Sequence, residues 1–204
     1  MKDNANKKRG LIFIISGPSG SGKTTLLKRV LANRLLKGKL AKSVSVTTRV
    51  KRSGERHSKD YFFIKPQDFH RLDKGKKILE WTRYLGYYYG TKKDFLEARL
   101  KEGKHLALCL DLKGALKLKK LYPHSAVTIF VIPPSIKELR KRIEGRCSKT
   151  KQEEVNKRIK LARDELRNSR RYDYVLKNEN LSQSAGRLKE IILKEIGFKT
   201  IAGG

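Results

Sequence analysis

Cysteine, tryptophan, acidic residues and long apolar runs are all scarce in this chain of 204 residues. Its two cysteines, Cys109 and Cys147, fit neither metal-ligand nor disulfide spacing, which excludes a disulfide scaffold and points to a reducing compartment, the cytoplasm. No apolar run approaches the roughly 20 residues of a membrane span. The opening "MKDNANKKRG" is charged, and the apolar run behind it ends in glycines rather than a small-residue cleavage site, which argues against a secretory signal. Twenty Asp plus Glu stand against fifty Lys plus Arg, a net charge of +30. That balance favours anionic partners. The cations are spread along the chain with no basic arm, low-complexity tail or internal repeat, so nucleic-acid contact is expected to be incidental to the charge. The length suits one sizeable domain, or one domain carrying insertions.

Buried strands are expected at "LIFIIS" (11–16), "HLALCLDL" (105–112) and "AVTIFVIPP" (126–134), where apolar residues run on without strict alternation. Helical spacing marks 23–36, 113–122, 135–145 and 183–196, with Ser135 as an N-cap behind Pro133 and Pro134. Strands alternating with helices predict an α/β fold with a mainly parallel sheet flanked by helices. Two stretches break the alternation. Residues 43–92 are β-branched and aromatic, predicting a small mixed sheet. Residues 135–171 read as helical and hold 14 basic against 6 acidic residues. The chain therefore divides into a core of 1–42, 93–134 and 172–204 with two excursions.

"GPSGSGKTT" (17–25) follows the first strand and opens the first helix, and matches G-x-x-x-x-G-K-[ST] at Gly17, Gly22, Lys23 and Thr24. Glycines let several backbone N–H groups point inward, and a helix N-terminus adds partial positive charge. Gly17, Pro18, Ser19, Gly20, Ser21, Gly22, Lys23, Thr24 and Thr25 thus form a triphosphate cradle. Lys23 neutralises the β/γ-phosphates and the Thr24 hydroxyl suits Mg²⁺. Asp111 closes the second long apolar strand, where a carboxylate can hold the same cation directly or through water.

Such a loop is shared by motors, GTPases and kinases, so the acceptor must be read from the excursions. In "SVSVTTRVKRSGERHSKDY" (43–61), Arg49 and Arg52 can clamp one phosphate with bidentate forks, and the hydroxyls of Tyr61 and Tyr89 can donate to it. Glu80, in "ILEW", is a carboxylate in a very basic chain. It suits a ligand rich in donors, such as guanine with its adjacent ring N–H and exocyclic amine. Trp81 beside it reads as core.

"SVSVTTRVKRSGE", "DYFF", "ILEW", "GYYYGT", "LDLKG", "PPS", "RIEGR", "NKRI" and "VLKNEN", in this order behind the loop, resemble guanylate kinases over about residues 10–195. The resemblance implies a P-loop nucleoside monophosphate kinase in which 43–92 binds GMP and 135–171 is a lid. It implies that Arg49, Arg52, Tyr61 and Tyr89 hold the GMP phosphate, with Ser45, Glu80 and Thr91 reading the base and Asp111 nearby. Arg142, Arg146 and Arg158 would close on the transferred group, and Asn178 would lie near the adenine of ATP. Arg142 and Arg146, four apart, are expected on one helix face. ATP and GMP are then the small-molecule partners, Mg²⁺ the cofactor, and the protein a monomer or homodimer. Three positions depart from the family pattern. Cys109 replaces a typical Asp, Lys113 a typical Gln, and Cys147 a typical Gly. Two other readings stay open on this evidence: a different phosphorylated acceptor on the same scaffold, and a non-catalytic module that binds phosphorylated peptides.

Overall fold

The computed structural model describes residues 9–145 and 152–197. They fall into two compact units. One comprises residues up to Ile12 with Leu40–Ala126, the other Phe13–Lys39 with the chain from Val127 onward.

The first unit holds two sheets. β2 (Leu40–Lys42) runs parallel to β7 (His105–Cys109), with Leu40 opposite His105. The other sheet is mixed, in the order β4 (Phe62–Phe63), β3 (Val46–Thr47), β6 (Tyr87–Lys92), β5 (Ile78–Tyr84). β3 is parallel to β4 and antiparallel to β6, and Gly86, at φ +86°, turns β5 back into β6. Thr47 and Thr48 bind β3 to β6: Thr47 Oγ1 donates to the Tyr88 carbonyl, and Thr48 Oγ1 accepts from the Tyr88 N–H. The expected mixed sheet is therefore present, together with a helix that composition did not suggest. α2 (Pro66–Lys74) begins with Pro66, whose fixed φ suits a first helical turn. It buries Phe69 with Val46 and Ile78. α3 (Lys93–Lys101) and α4 (Leu112–Leu121) complete this unit.

The second unit orders its strands β1 (Ile12–Ser16), β8 (Ala126–Ile132), β9 (Tyr174–Lys177), with β8 and β9 parallel. β1 is buried along its whole length, as expected of a strand covered on both faces. Asp173 ties the last two strands: its Oδ2 accepts from both the N–H and the hydroxyl of Thr128. α1 (Lys23–Leu31) packs on α7 (Leu181–Glu195). α5 (Ile136–Glu144) packs on α6 (Gln152–Arg167) through Leu139, Ile143, Val155, Ile159 and Ala162. Ser135 caps α5 as expected, its hydroxyl accepting from the Glu138 N–H.

Two predicted boundaries move inward. Helix α1 ends at Leu31 rather than 36, because Asn33 draws backbone donors into turns: its Oδ1 accepts from the Leu35 N–H, its carbonyl from Leu36 and Lys37. Leu36 is nevertheless fully buried. Strand β7 stops at Cys109, two residues before Asp111, which turns out to be the N-cap of α4.

Candidate active-site residues

In the second unit the glycine loop follows β1 and opens α1. Gly17, Gly20 and Gly22 all have positive φ, a conformation costly for any residue with a Cβ. Space agrees at Gly22, where a Cβ would lie 2.3 Å from Asn178 Nδ2. α1 has no side-chain cap, so its first-turn N–H groups keep the helix dipole's positive end at the loop. Lys23 Nζ donates to the Gly17 and Pro18 carbonyls at 2.5 and 2.8 Å, which holds the ammonium against its own loop. Thr24 and Thr25 are exposed.

Asn178, expected near the adenine, makes a contact with the glycine loop. Nearly buried, it donates from Nδ2 to the Ser21 carbonyl at 2.7 Å and so braces the glycine loop from β9's end. The two described arginines expected in a lid, Arg142 and Arg158, are held on their own helices. Arg142 Nε donates to Glu138 at 3.1 Å and Arg158 Nη2 to Glu154, both one turn back. Arg158 Nε is buried with no hydrogen-bond partner among the described residues. α5 ends at Glu144 with Gly145 as its C-cap, and the expected pairing of Arg142 with Arg146 on one face falls outside the described residues. Arg146 and Cys147 lie outside the described residues.

The first unit concentrates the other candidates. Arg49, 9% exposed, gives both oxygens of Glu55 a hydrogen bond from Nη2, at 2.7 and 2.9 Å, while its Nη1 donates to the Val50 carbonyl. Glu55 also accepts the Arg52 N–H at 2.8 Å; the Arg52 side chain itself is exposed. Burial works against the charge on both members of the Arg49–Glu55 pair. Burial is the largest single influence, but their mutual hydrogen bond and charge attraction, with Tyr89 acting on Arg49 and Arg52 on Glu55, together exceed it, raising Arg49 above and lowering Glu55 below its ordinary value. The Arg49 guanidinium lies 5.7 Å over the Tyr61 ring, and Tyr61 meets Tyr89 edge-on at 5.9 Å. Burial, with Cys109 second, pushes the Tyr61 hydroxyl up to about 12, so it remains a neutral donor at physiological pH.

Glu80 is 1% exposed on β5. Thr91 Oγ1, fully buried on β6, donates to its Oε1 at 2.5 Å. Burial, and the charge of Asp111 after it, push the carboxyl up to about 7 despite that hydrogen bond. Side chains alternate along a strand. An inward Glu80 therefore turns Trp81 outward, and Trp81 is 40% exposed rather than core. Ser45 is half-buried, and its carbonyl accepts from the Phe62 N–H. Asp111 Oδ1 accepts the Gly114 N–H at 2.8 Å.

A family profile described as guanylate kinase matches residues 9–195. The chain belongs to the guanylate kinase family. It is 41% identical over 190 residues to the guanylate kinase of Bartonella henselae, covering 93% of this chain and 83% of that one. It is 40% identical over 189 residues to that of Caldanaerobacter subterraneus, covering 93% and 89%. The solved guanylate kinase of Anaplasma phagocytophilum has a TM-score of 0.73 to it at 34% identity, over 95% of this chain and 89% of that one.

Two contacts in this guanylate kinase family member were not foreseen from its sequence, the Arg49–Glu55 pair and the brace of Asn178 on Ser21. Glu55 was a lone acid in a run of cations, and its spacing to Arg49 was the available signal. The bracing contact of Asn178 carried none, since its partner Ser21 is 157 positions away. No helix among the described residues is long and apolar enough to cross a membrane.

Proposed function

We propose that the chain transfers the γ-phosphoryl group of ATP to GMP, and to dGMP, giving ADP and GDP for guanine nucleotide metabolism and GMP recycling. Family membership supports the reaction class. Glu80 carries the choice of base: one inaccessible carboxylate, in a chain of fifty cations, held by Thr91 and suited to two adjacent donors. A site built to accept hydrogen bonds rejects bases that cannot give them, because its buried oxygens are then left unpaired.

In this reading each unit grips one nucleotide. In the donor unit, Gly17–Thr25 wraps the ATP phosphates with backbone N–H groups. Lys23 exchanges its loop carbonyls for phosphate oxygens, and Asn178 keeps the loop in shape. In the acceptor unit, Arg49, Arg52, Tyr61 and Tyr89 hold the GMP phosphate, while Ser45, Glu80 and Thr91 read the guanine. An oxygen of the GMP phosphate attacks the γ-phosphorus, the bond to the β–γ bridging oxygen breaks, and ADP leaves with that electron pair. Arg142, Arg146 and Arg158, in the lid segment 135–171, spread positive charge over the transferred group. Segment 43–92 is the GMP-binding subdomain in this scheme.

Mg²⁺ is the cation of this reading, and each unit offers it one ligand. Thr24 offers a hydroxyl and Asp111 a carboxylate, both hard oxygen ligands. When bound, Mg²⁺ neutralises charge on the β- and γ-phosphates. Cys109 leaves Asp111 as the carboxylate of "LCLDLKG" available for this.

A coupled assay of ADP release with GMP, dGMP, AMP and UMP tests the reading. ADP formation should depend on GMP or dGMP and stay at background with AMP and UMP. Equal rates with all four, or none with GMP, would reject it.

A further inference from the structure

Gly114 sits in the first turn of α4, where its N–H goes to Asp111 Oδ1. It does not have the positive φ that calls for glycine elsewhere in the chain, so its backbone could be that of any residue. Alanine is the better helix former at such a position. The reason for glycine is therefore not conformation but space. A Cβ there would lie 2.5 Å from Glu80 Oε2 and 3.2 Å from Glu80 Cδ, closer than a carbon and an oxygen can approach. The carboxylate has no easy retreat. It is 1% exposed, and its other oxygen is held by the buried Thr91 hydroxyl at 2.5 Å.

We propose that Gly114 is a positioning residue for the acceptor half of the site: its bare Cα is what lets the Glu80 carboxylate lie flat against α4 with Oε1 on Thr91. Thr91 and Gly114 fix the carboxylate from two sides, one by attraction and one by leaving just enough room. Adding a single methyl group at 114 turns the carboxylate away from the plane in which it would take two donors from a base. The effect falls on the affinity and selectivity for the acceptor base, since a Cβ at 114 would strike the Glu80 carboxylate first; Asp111 Oδ1, at 3.3 Å, comes next and already accepts the Gly114 N–H.

The inference rests on the assignment of Glu80 as the base reader, and a double-mutant cycle separates the two. Steady-state kinetics are measured on the full chain for wild type, Gly114→Ala, Glu80→Ala and the double variant. Gly114→Ala should raise KM for GMP about tenfold or more while kcat and KM for ATP stay within about twofold. In the Glu80→Ala background there is no carboxylate to strike, so the same glycine substitution should change KM for GMP by less than about twofold. A full loss from Gly114→Ala in both backgrounds, or none in the wild-type background with Glu80→Ala impaired, overturns the role of Gly114 alone. Normal KM for GMP in Glu80→Ala overturns the assignment of Glu80 and the inference with it. Thermal unfolding covers the case of misfolding. If Gly114→Ala fails to fold but the double variant folds, the collision with Glu80 is the cause and the inference stands. If neither folds, glycine serves α4 itself and the inference falls.

Discussion

In the proposed reading the two units hold a phosphorylated nucleotide each, and they are built of opposite materials. The glycine loop of the second unit is main chain: nine consecutive residues, three glycines with positive φ, and an uncapped helix N-terminus. The proposed acceptor residues of the first unit are side chains gathered from β5, β6, the N-cap of α4 and the connections that flank β3. Glu80 is held by Thr91, Arg49 by Glu55, and Asp111 by the Gly114 N–H. A backbone cradle is indifferent to the base it carries, which suits a donor held by its phosphates. Side chains drawn from several strands can discriminate, which suits an acceptor chosen by its base.

That contrast can be broken at Lys23 first. Lys23→Ala should lower kcat by about two to three orders of magnitude, as loss of a charge aimed at the transferring phosphate does, and leave GMP affinity by calorimetry unchanged. A matching loss of GMP affinity would show that the halves are not independent. Next is Arg49→Ala. It removes a charge-assisted clamp and strands Glu55, so KM for GMP should rise about a hundredfold, equivalent to 2–3 kcal/mol, with KM for ATP unaltered.

Glu80→Gln sharpens the acceptor side through pH. Because its folded value is raised to about 7, the neutral carboxyl is the form the fold favours. Its stabilising contribution is whole below about 4.5 and is lost as pH climbs through about 7. Wild type should therefore lose more stability than Glu80→Gln between pH 5 and 8, read by thermal unfolding. Binding runs the other way, since the ionised carboxylate accepts both guanine donors. KM for GMP should fall from pH 6 to 8 relative to Glu80→Gln. The ratio is needed because the phosphate of GMP also titrates, near 6. A ratio flat across this range would remove Glu80 from the base site. The smallest effect belongs to Asn178→Ala, which frees the Ser21 carbonyl. It should raise KM for ATP about five- to tenfold, the loss of one buried hydrogen bond, and leave KM for GMP alone.

Local features were legible in the sequence. The glycine loop between strand and helix, the Ser135 cap and the apolar strands at 12–16, 105–109 and 126–132 all follow from neighbours within a few residues. Leu36 shows the limit of such reading. It was placed in a helix over 23–36 but lies in a turn and is fully buried there, because Asn33 competes for the backbone donors. Helix α2 was hidden in an aromatic stretch whose Pro66, Phe69 and Leu72 carry the helical spacing. The ion pair of Arg49 with Glu55 spans six positions and was within reach of inspection. The pairings of Thr91 with Glu80 and Asn178 with Ser21 were not, since chain order alone cannot say which polar groups will share a buried space.

The sequence by itself determined the phosphate cradle, because glycine conformation, helix polarity and a lysine's charge act over one short stretch of chain. It also determined the overall electrostatic character. Only the tertiary structure decided which oxygen each donor meets, that Asn178 braces the loop, and that Gly114 is reserved for the volume of Glu80. Those outcomes depend on desolvation and excluded volume, which exist only once distant segments are packed together.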